Sequence, residues 1–223
     1  MSNPTAPPRR KRSWYATSAA LFRWLHIYIS MLGFTMLIFF AVTGITLNHP
    51  TWFGASEQSV RDASGKLPSE LAIVASQTDA KAEDAESAGS LFQVDKLEIA
   101  EWLRSEHGLK GRVREFEINE YDIMVVFKGP GYSADIFIDP TANQYTLTET
   151  TTGVISVLND LHKGRDSGLQ WSWVIDVSAV VTILMSVSGF GLLFYLKKRR
   201  NKGLLTALAG TILLVVAWAL WVP

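Results

Sequence analysis

Cysteine is absent from all 223 residues. That excludes disulfides, thiolate-ligated iron–sulfur clusters, cysteine nucleophiles and covalent c-type haem attachment. An extracytoplasmic domain built from this chain must rely on its own core. Histidine is scarce: the chain has four, His26, His49, His107 and His162. A phosphate-cradling glycine loop, an HExxH zinc signature and a Ser–His–Asp arrangement are also missing, so nucleotide and hydrolytic chemistry have no visible carrier. Between Trp24 and Asn48 there is no Asp, Glu, Lys or Arg. At about 1.5 Å per residue such a run covers the roughly 30 Å hydrocarbon layer of a bilayer.

The net charge of zero hides a segregation. Residues 51–168 carry 20 of the 21 acids and 11 of the 21 Lys and Arg, and the one acid outside them is Asp176. This is a topology signal, and no nucleic-acid partner is expected from it. The chain therefore divides into a basic cytoplasmic tail (1–18), a first transmembrane helix (19–49), an outer domain (50–168), a second transmembrane helix (169–197), a short cytoplasmic loop (198–202) and a third transmembrane helix (203–223). The first span is too long for a signal-peptide core and reads as a retained anchor. Basic clusters at Arg9–Arg12 and Lys197–Arg200 place the tail and the loop in the cytoplasm, and the acidic domain outside. Most tryptophans fall near predicted interfaces, as an aromatic belt would.

Within the outer domain, residues 76–90 are rich in Ala, Ser, Asp and Glu and read as a linker. A helix is expected over about 94–107, with Leu97, Ala100, Trp102 and Leu103 near one face. Three or four strands follow between 113 and 150, joined by Gly-Pro-Gly and Asp-Pro turns into an antiparallel meander. A last helix, about 153–162, runs back toward the membrane. The expected fold class is a membrane α-helical protein with three transmembrane helices plus an extracytoplasmic α+β domain with an antiparallel sheet.

His49 closes the first span and His162 precedes the second, 113 residues later. Chain topology brings both to one membrane face. Two neutral imidazoles at a boundary suit a metal centre such as haem iron. They equally suit polar interface positions. Asp176, in the outer third of the second span, is costly unless paired, hydrated or protonated. It can orient a ligating imidazole, pair with Arg165 or face water. Gly44 admits a porphyrin or a packed helix, and Gly189 and Gly191 with Ser186 and Ser188 form a small-residue strip for helix packing. His107 reads as a helix-end residue.

The segments FRWLHIYISMLGF and AVTGITLNHPTWFG around the first span, LNDLHKGRDSG before the second, and the ASGKLP loop resemble small PepSY-associated transmembrane proteins of bacteria. The resemblance covers most of the chain. Larger relatives include inner-membrane reductases that pass electrons through b-type haem to ferric siderophores. It implies placement in the bacterial inner (cytoplasmic) membrane with a periplasmic PepSY-like domain. It also implies haem-linked redox chemistry, with His49 and His162 as the candidate ligands of a b-type haem; Arg165 is placed either near the propionates or in a solvated turn. Electrons would arrive from quinol or a redox partner protein and leave to a periplasmic acceptor, a ferric complex among the candidates. The chain departs from those reductases in having three spans and few histidines. His26 and His49 are about 34 Å apart along a helix, so they cannot share an iron. His26 would complete a second haem site only in a homodimer or larger membrane complex. The contrasting reading is a non-catalytic scaffold that presents the outer domain to a partner. A third is metal-ion handling by the acidic domain.

Overall fold

The computed structural model describes residues 14–223 except 55, 69–70, 72–73, 76–91, 94 and 120. Residues 1–13 of the expected tail (1–18) and the linker at 76–90 lie outside the described residues; residues 14–18 are helical. The chain divides into two compact units. One comprises the residues up to Phe39 with those from Asp176 onward; the other is Phe40–Ile175.

The first unit is helical. Helix α1 spans Trp14–Asn48, 35 residues, and its C-terminal turns belong to the second unit. Helices α4 (Leu169–Tyr195) and α5 (Arg200–Trp221) provide the remainder. All three are long and apolar enough to cross a membrane. The absence of water inside a bilayer makes such helices the natural solution, since each backbone N–H and C=O is satisfied within its own segment. Small residues set their packing. A Cβ on Gly33 would meet Val181 Cγ1 at 2.8 Å, one on Gly191 would meet Phe22 at 2.4 Å, and one on Gly203 would meet Leu193 at 2.4 Å. The small-residue strip expected on α4 is therefore real, except that Ser186 faces outward and donates to Thr182 O instead.

The second unit is α+β. Strands β1 (Gln58–Lys66), β4 (Arg112–Ile118), β5 (Ile123–Gly129), β6 (Tyr132–Asp139) and β7 (Gln144–Thr152) form one antiparallel sheet in the order β1-β7-β6-β5-β4. Two short strands, β2 (Val74–Ala75) and β3 (Phe92–Gln93), pair separately. Helix α2 (Lys96–His107) covers one sheet face. Period-two alternation sends Tyr132, Ala134, Ile136 and Ile138 of β6 inward, beside Leu147 of β7 and Val125 and Phe127 of β5. Ile99, Ala100 and Leu103 of α2 close the core. Asp95 caps α2 by accepting from the N–H groups of Leu97 and Glu98, and Gly108 ends it at φ 66°.

Two local expectations are corrected. Leu97 is 72% exposed, and Ile99 takes its place, because the inner stripe runs 99, 100, 103 and the first turn lies off it. The ASGKLP segment is mostly strand, not loop: β1 pairs residue for residue with β7. Its sequence QSVRDASGK has no apolar alternation, and only its partner makes it a strand.

Helix α3 (Val154–Lys163) packs on the β5–β6 turn. Gly131, at φ 67°, donates its N–H to Asp160 Oδ2 at 2.9 Å. A side chain there would strike Val157 Cγ2 at 2.4 Å, so this turn requires glycine.

Leu103→Ala removes a fully buried side chain from the α2–sheet contact. It should cost about 2–5 kcal/mol, read as an earlier thermal transition of the α+β unit by circular dichroism. Burial, reinforced by Glu149, pushes the Tyr132 phenol up from 10.0 to about 12 against a backbone N–H from Lys110 that pulls it down. A raised folded pKa gives stability that is present below the unfolded value and is lost as pH climbs from about 10 to about 12. Tyr132→Phe should flatten that alkaline loss in a pH series of melts.

Candidate cofactor site

The second unit holds a polar contact between the last turns of α1 and helix α3. Thr43 and Thr46 are one turn apart on α1 and buried, Thr43 to 2% exposure. Asn159 and His162 are one turn apart on α3. Residues at i and i+3 share a helix face, so the two pairs meet as two rungs. Thr46 donates to Asn159 Oδ1 at 2.6 Å, and Thr43 Oγ1 lies 2.6 Å from His162 Nδ1. The His162 ring also meets Phe40 edge-on at 5.1 Å between centroids and lies over Gly44, where an added Cβ would sit 3.8 Å from Cε1. Gly164 at φ 68° ends α3 one residue after Lys163, and Trp171 Nε1 donates to Leu161 O at 2.7 Å.

His49 stands just past the end of α1. Its ring stacks on Trp52 at 3.8 Å with an interplanar angle of 8°, and neither ring nitrogen makes a hydrogen bond among the described residues. Both histidines therefore belong to the same unit, as their topology requires, but each is engaged by its own neighbours. Among the described residues no hydrogen bond or ring contact joins the two imidazoles. Arg165 is exposed in the turn after α3 and lines an open cleft of about 210 Å³ with Lys128, Tyr132, Asp160 and Asp166. Asp166 in turn lies 4.0 Å from Arg114.

In the helical unit, His26 packs on α4. Its Nδ1 lies 3.1 Å from Ser188 Oγ and 3.2 Å from Met185 O. Asp176 is exposed on α4. His107, at the end of α2 as expected, spends its Nε2 on Tyr145 OH at 2.8 Å. Burial, with the charge of Glu106, raises the Tyr145 phenol above its usual value.

The donor chemistry of His162 and His26 fits an iron ligand. Ligating histidines usually anchor one ring nitrogen to an acceptor and offer the other to the metal. In both, Nδ1 is anchored and Nε2 makes no hydrogen bond among the described residues. His107 differs in spending Nε2, not Nδ1, on its partner. The described residues contain no group of three or more His, Asp or Glu side chains suited to a metal ion. The acidic domain thus shows no cation site of its own among those residues.

Sequence reasoning had found the histidines but not Thr43, Thr46 and Asn159, which hold one of them. The available signal was the Thr-x-x-Thr spacing in an uncharged span, matched by Asn-x-x-His before the next.

Three apolar helices of membrane-crossing length and a five-stranded α+β unit define an integral membrane protein with a folded domain between its first and second spans. The chain belongs to the PepSY_TM-like family, whose pattern it matches over residues 20–223. Comparison with curated proteins and with solved structures gives no match.

Thr46→Val should leave Asn159 buried and unpaired at a cost of about 1–3 kcal/mol. The double variant Thr46→Val/Asn159→Leu should cost less than the sum of the two single ones. Thermal melts of the four proteins check this.

Proposed function

We propose that the chain is a b-type haem protein of the bacterial inner membrane that passes electrons to an acceptor in the periplasm. Its basic N-terminal tail and the Lys197–Arg200 cluster lie in the cytoplasm under the positive-inside rule, and its α+β domain lies outside. One observation carries the reading: His162 is anchored through Nδ1 to buried Thr43, while its Nε2 makes no hydrogen bond among the described residues. Family membership supports the setting.

In this reading His162 would be the fixed ligand of the haem iron. His49, beyond the helix end, stacked on Trp52 and without a ring-nitrogen hydrogen bond among the described residues, would be the adjustable one. Haem, when bound, supplies a one-electron couple, whose potential is set by axial ligation, hydrogen bonding and burial. The chain's own residues ligate, orient and exclude water. Arg165 offers a guanidinium to a propionate. His26 offers a second ligand whose partner comes from another copy or subunit. Quinol or a redox protein donates the electrons, and a ferric complex is a candidate acceptor.

Protein purified from haem-replete cells should show a Soret band and a reduced α-band. His162→Ala and His49→Ala should each abolish or shift them. Colourless protein that co-purifies with a larger complex would contradict the haem reading and favour a scaffold that presents the outer domain to a partner.

A further inference from the structure

Two histidines in two different units are held in the same way. On α1, Thr43 Oγ1 donates to the carbonyl three residues earlier, Phe40 O, at 3.4 Å. On α4, Ser188 Oγ donates to the carbonyl three residues earlier, Met185 O, at 2.9 Å. Each hydroxyl meets the Nδ1 of a histidine from another helix, His162 at 2.6 Å and His26 at 3.1 Å. Each is followed by a glycine that lies beneath the imidazole, Gly44 and Gly189. Ser188 is 1% exposed, as deeply buried as Thr43.

A hydroxyl carries one hydrogen. If that hydrogen goes to the helix carbonyl, only the oxygen lone pairs remain for the imidazole, and Nδ1 must donate. For His26 a second group enforces the same result. Met185 O lies 3.2 Å from Nδ1, and a carbonyl can only accept. A neutral imidazole with its hydrogen on Nδ1 has its lone pair on Nε2, the atom that binds a metal.

We propose that Thr43-Gly44 and Ser188-Gly189 are two copies of one histidine cradle, and that Thr43 and Ser188 are positioning residues that lock His162 and His26 as Nδ1–H tautomers with Nε2 presented. This deepens the haem reading and rests on it for its purpose, although the tautomers themselves exist with or without iron. The hydroxyl sets the proton and the glycine sets the distance. The two glycines differ in how much they matter. A Cβ on Gly189 would lie 2.9 Å from His26 Cε1, so the ring must shift, whereas one on Gly44 would lie 3.8 Å from His162 Cε1, an ordinary contact.

The direct test is ¹⁵N NMR of the full chain, histidine-labelled, haem-depleted and in lipid nanodiscs at neutral pH. With four histidines in the chain, single His→Ala variants assign the signals. His26 and His162 should each show a protonated Nδ1 and a bare Nε2. Thr43→Val should scramble the tautomer of His162 alone; at His26, where Met185 O still accepts from Nδ1, Ser188→Ala should shift the ring signals while Nδ1 stays protonated. Thr43→Ser should restore the wild-type pattern, which separates a lost hydrogen bond from a lost fold. Gly189→Ala should move the His26 signals, and Gly44→Ala should leave those of His162 in place. In haem-replete protein, Thr43→Val should weaken haem retention about 10–100-fold. A wild-type His162 or His26 protonated on Nε2 would overturn the proposal, as would ring signals indifferent to Thr43→Val and Ser188→Ala. Colourless wild-type protein with locked tautomers would defeat the haem reading and leave the cradles standing. Haem-loaded protein indifferent to both hydroxyl variants would do the reverse.

Discussion

Burying a hydroxyl or imidazole favours pairing it, because leaving such a group unpaired away from water costs about 1–3 kcal/mol, against about 0.5–1.5 kcal/mol returned by a made bond. That constraint organises this protein where its last α1 turns meet α3. Thr43, Thr46 and Asn159 are all buried there, and they satisfy one another and His162 in two rungs. The rungs fix the rotation of α3, and α3 is fixed again at its other face by the bond from Gly131 to Asp160. A helix held on both sides presents its histidine in one orientation. The site therefore depends on a glycine turn in the sheet as well as on two threonines in a span.

Much of this architecture is legible in the chain. An uncharged run from Trp24 to Asn48, a basic stop at Lys197 and alternating residues in YSADIFID are strong local signals, and the spans, the meander and α2 follow from them. Strand β1 is not legible, because QSVRDASGK carries no alternation and becomes a strand only by lying against β7. Leu97 misleads for a related reason: apolar character alone does not place a residue on the stripe when the helix starts one turn earlier than its core contacts. The histidines are legible as candidates. What holds them is not, since threonine and serine in an apolar span usually bond only their own helix.

The contrast among the four histidines gives the site its chemical meaning. His107 bonds through Nε2 to a phenol at the surface of the core, a structural use of the nitrogen that the other histidines leave open. His49 is held by stacking and, among the described residues, keeps both nitrogens. His162 and His26 are held through Nδ1 by a hydroxyl above a glycine. The same side chain is thus an internal strut, an adjustable donor and a fixed donor, and the difference lies in which nitrogen the fold occupies. Under the proposed function the last two kinds would act together as ligands, and the α1–α3 end of the second unit holds one of each.

The account stands or falls on whether imidazole nitrogens of this chain reach iron. Low-temperature electron paramagnetic resonance of the oxidised protein, purified from haem-replete cells, measures that directly. The predicted result is a low-spin ferric signal with two imidazole ligands that is lost in His162→Ala. No low-spin haem signal, or one that persists unchanged without His162, would contradict it.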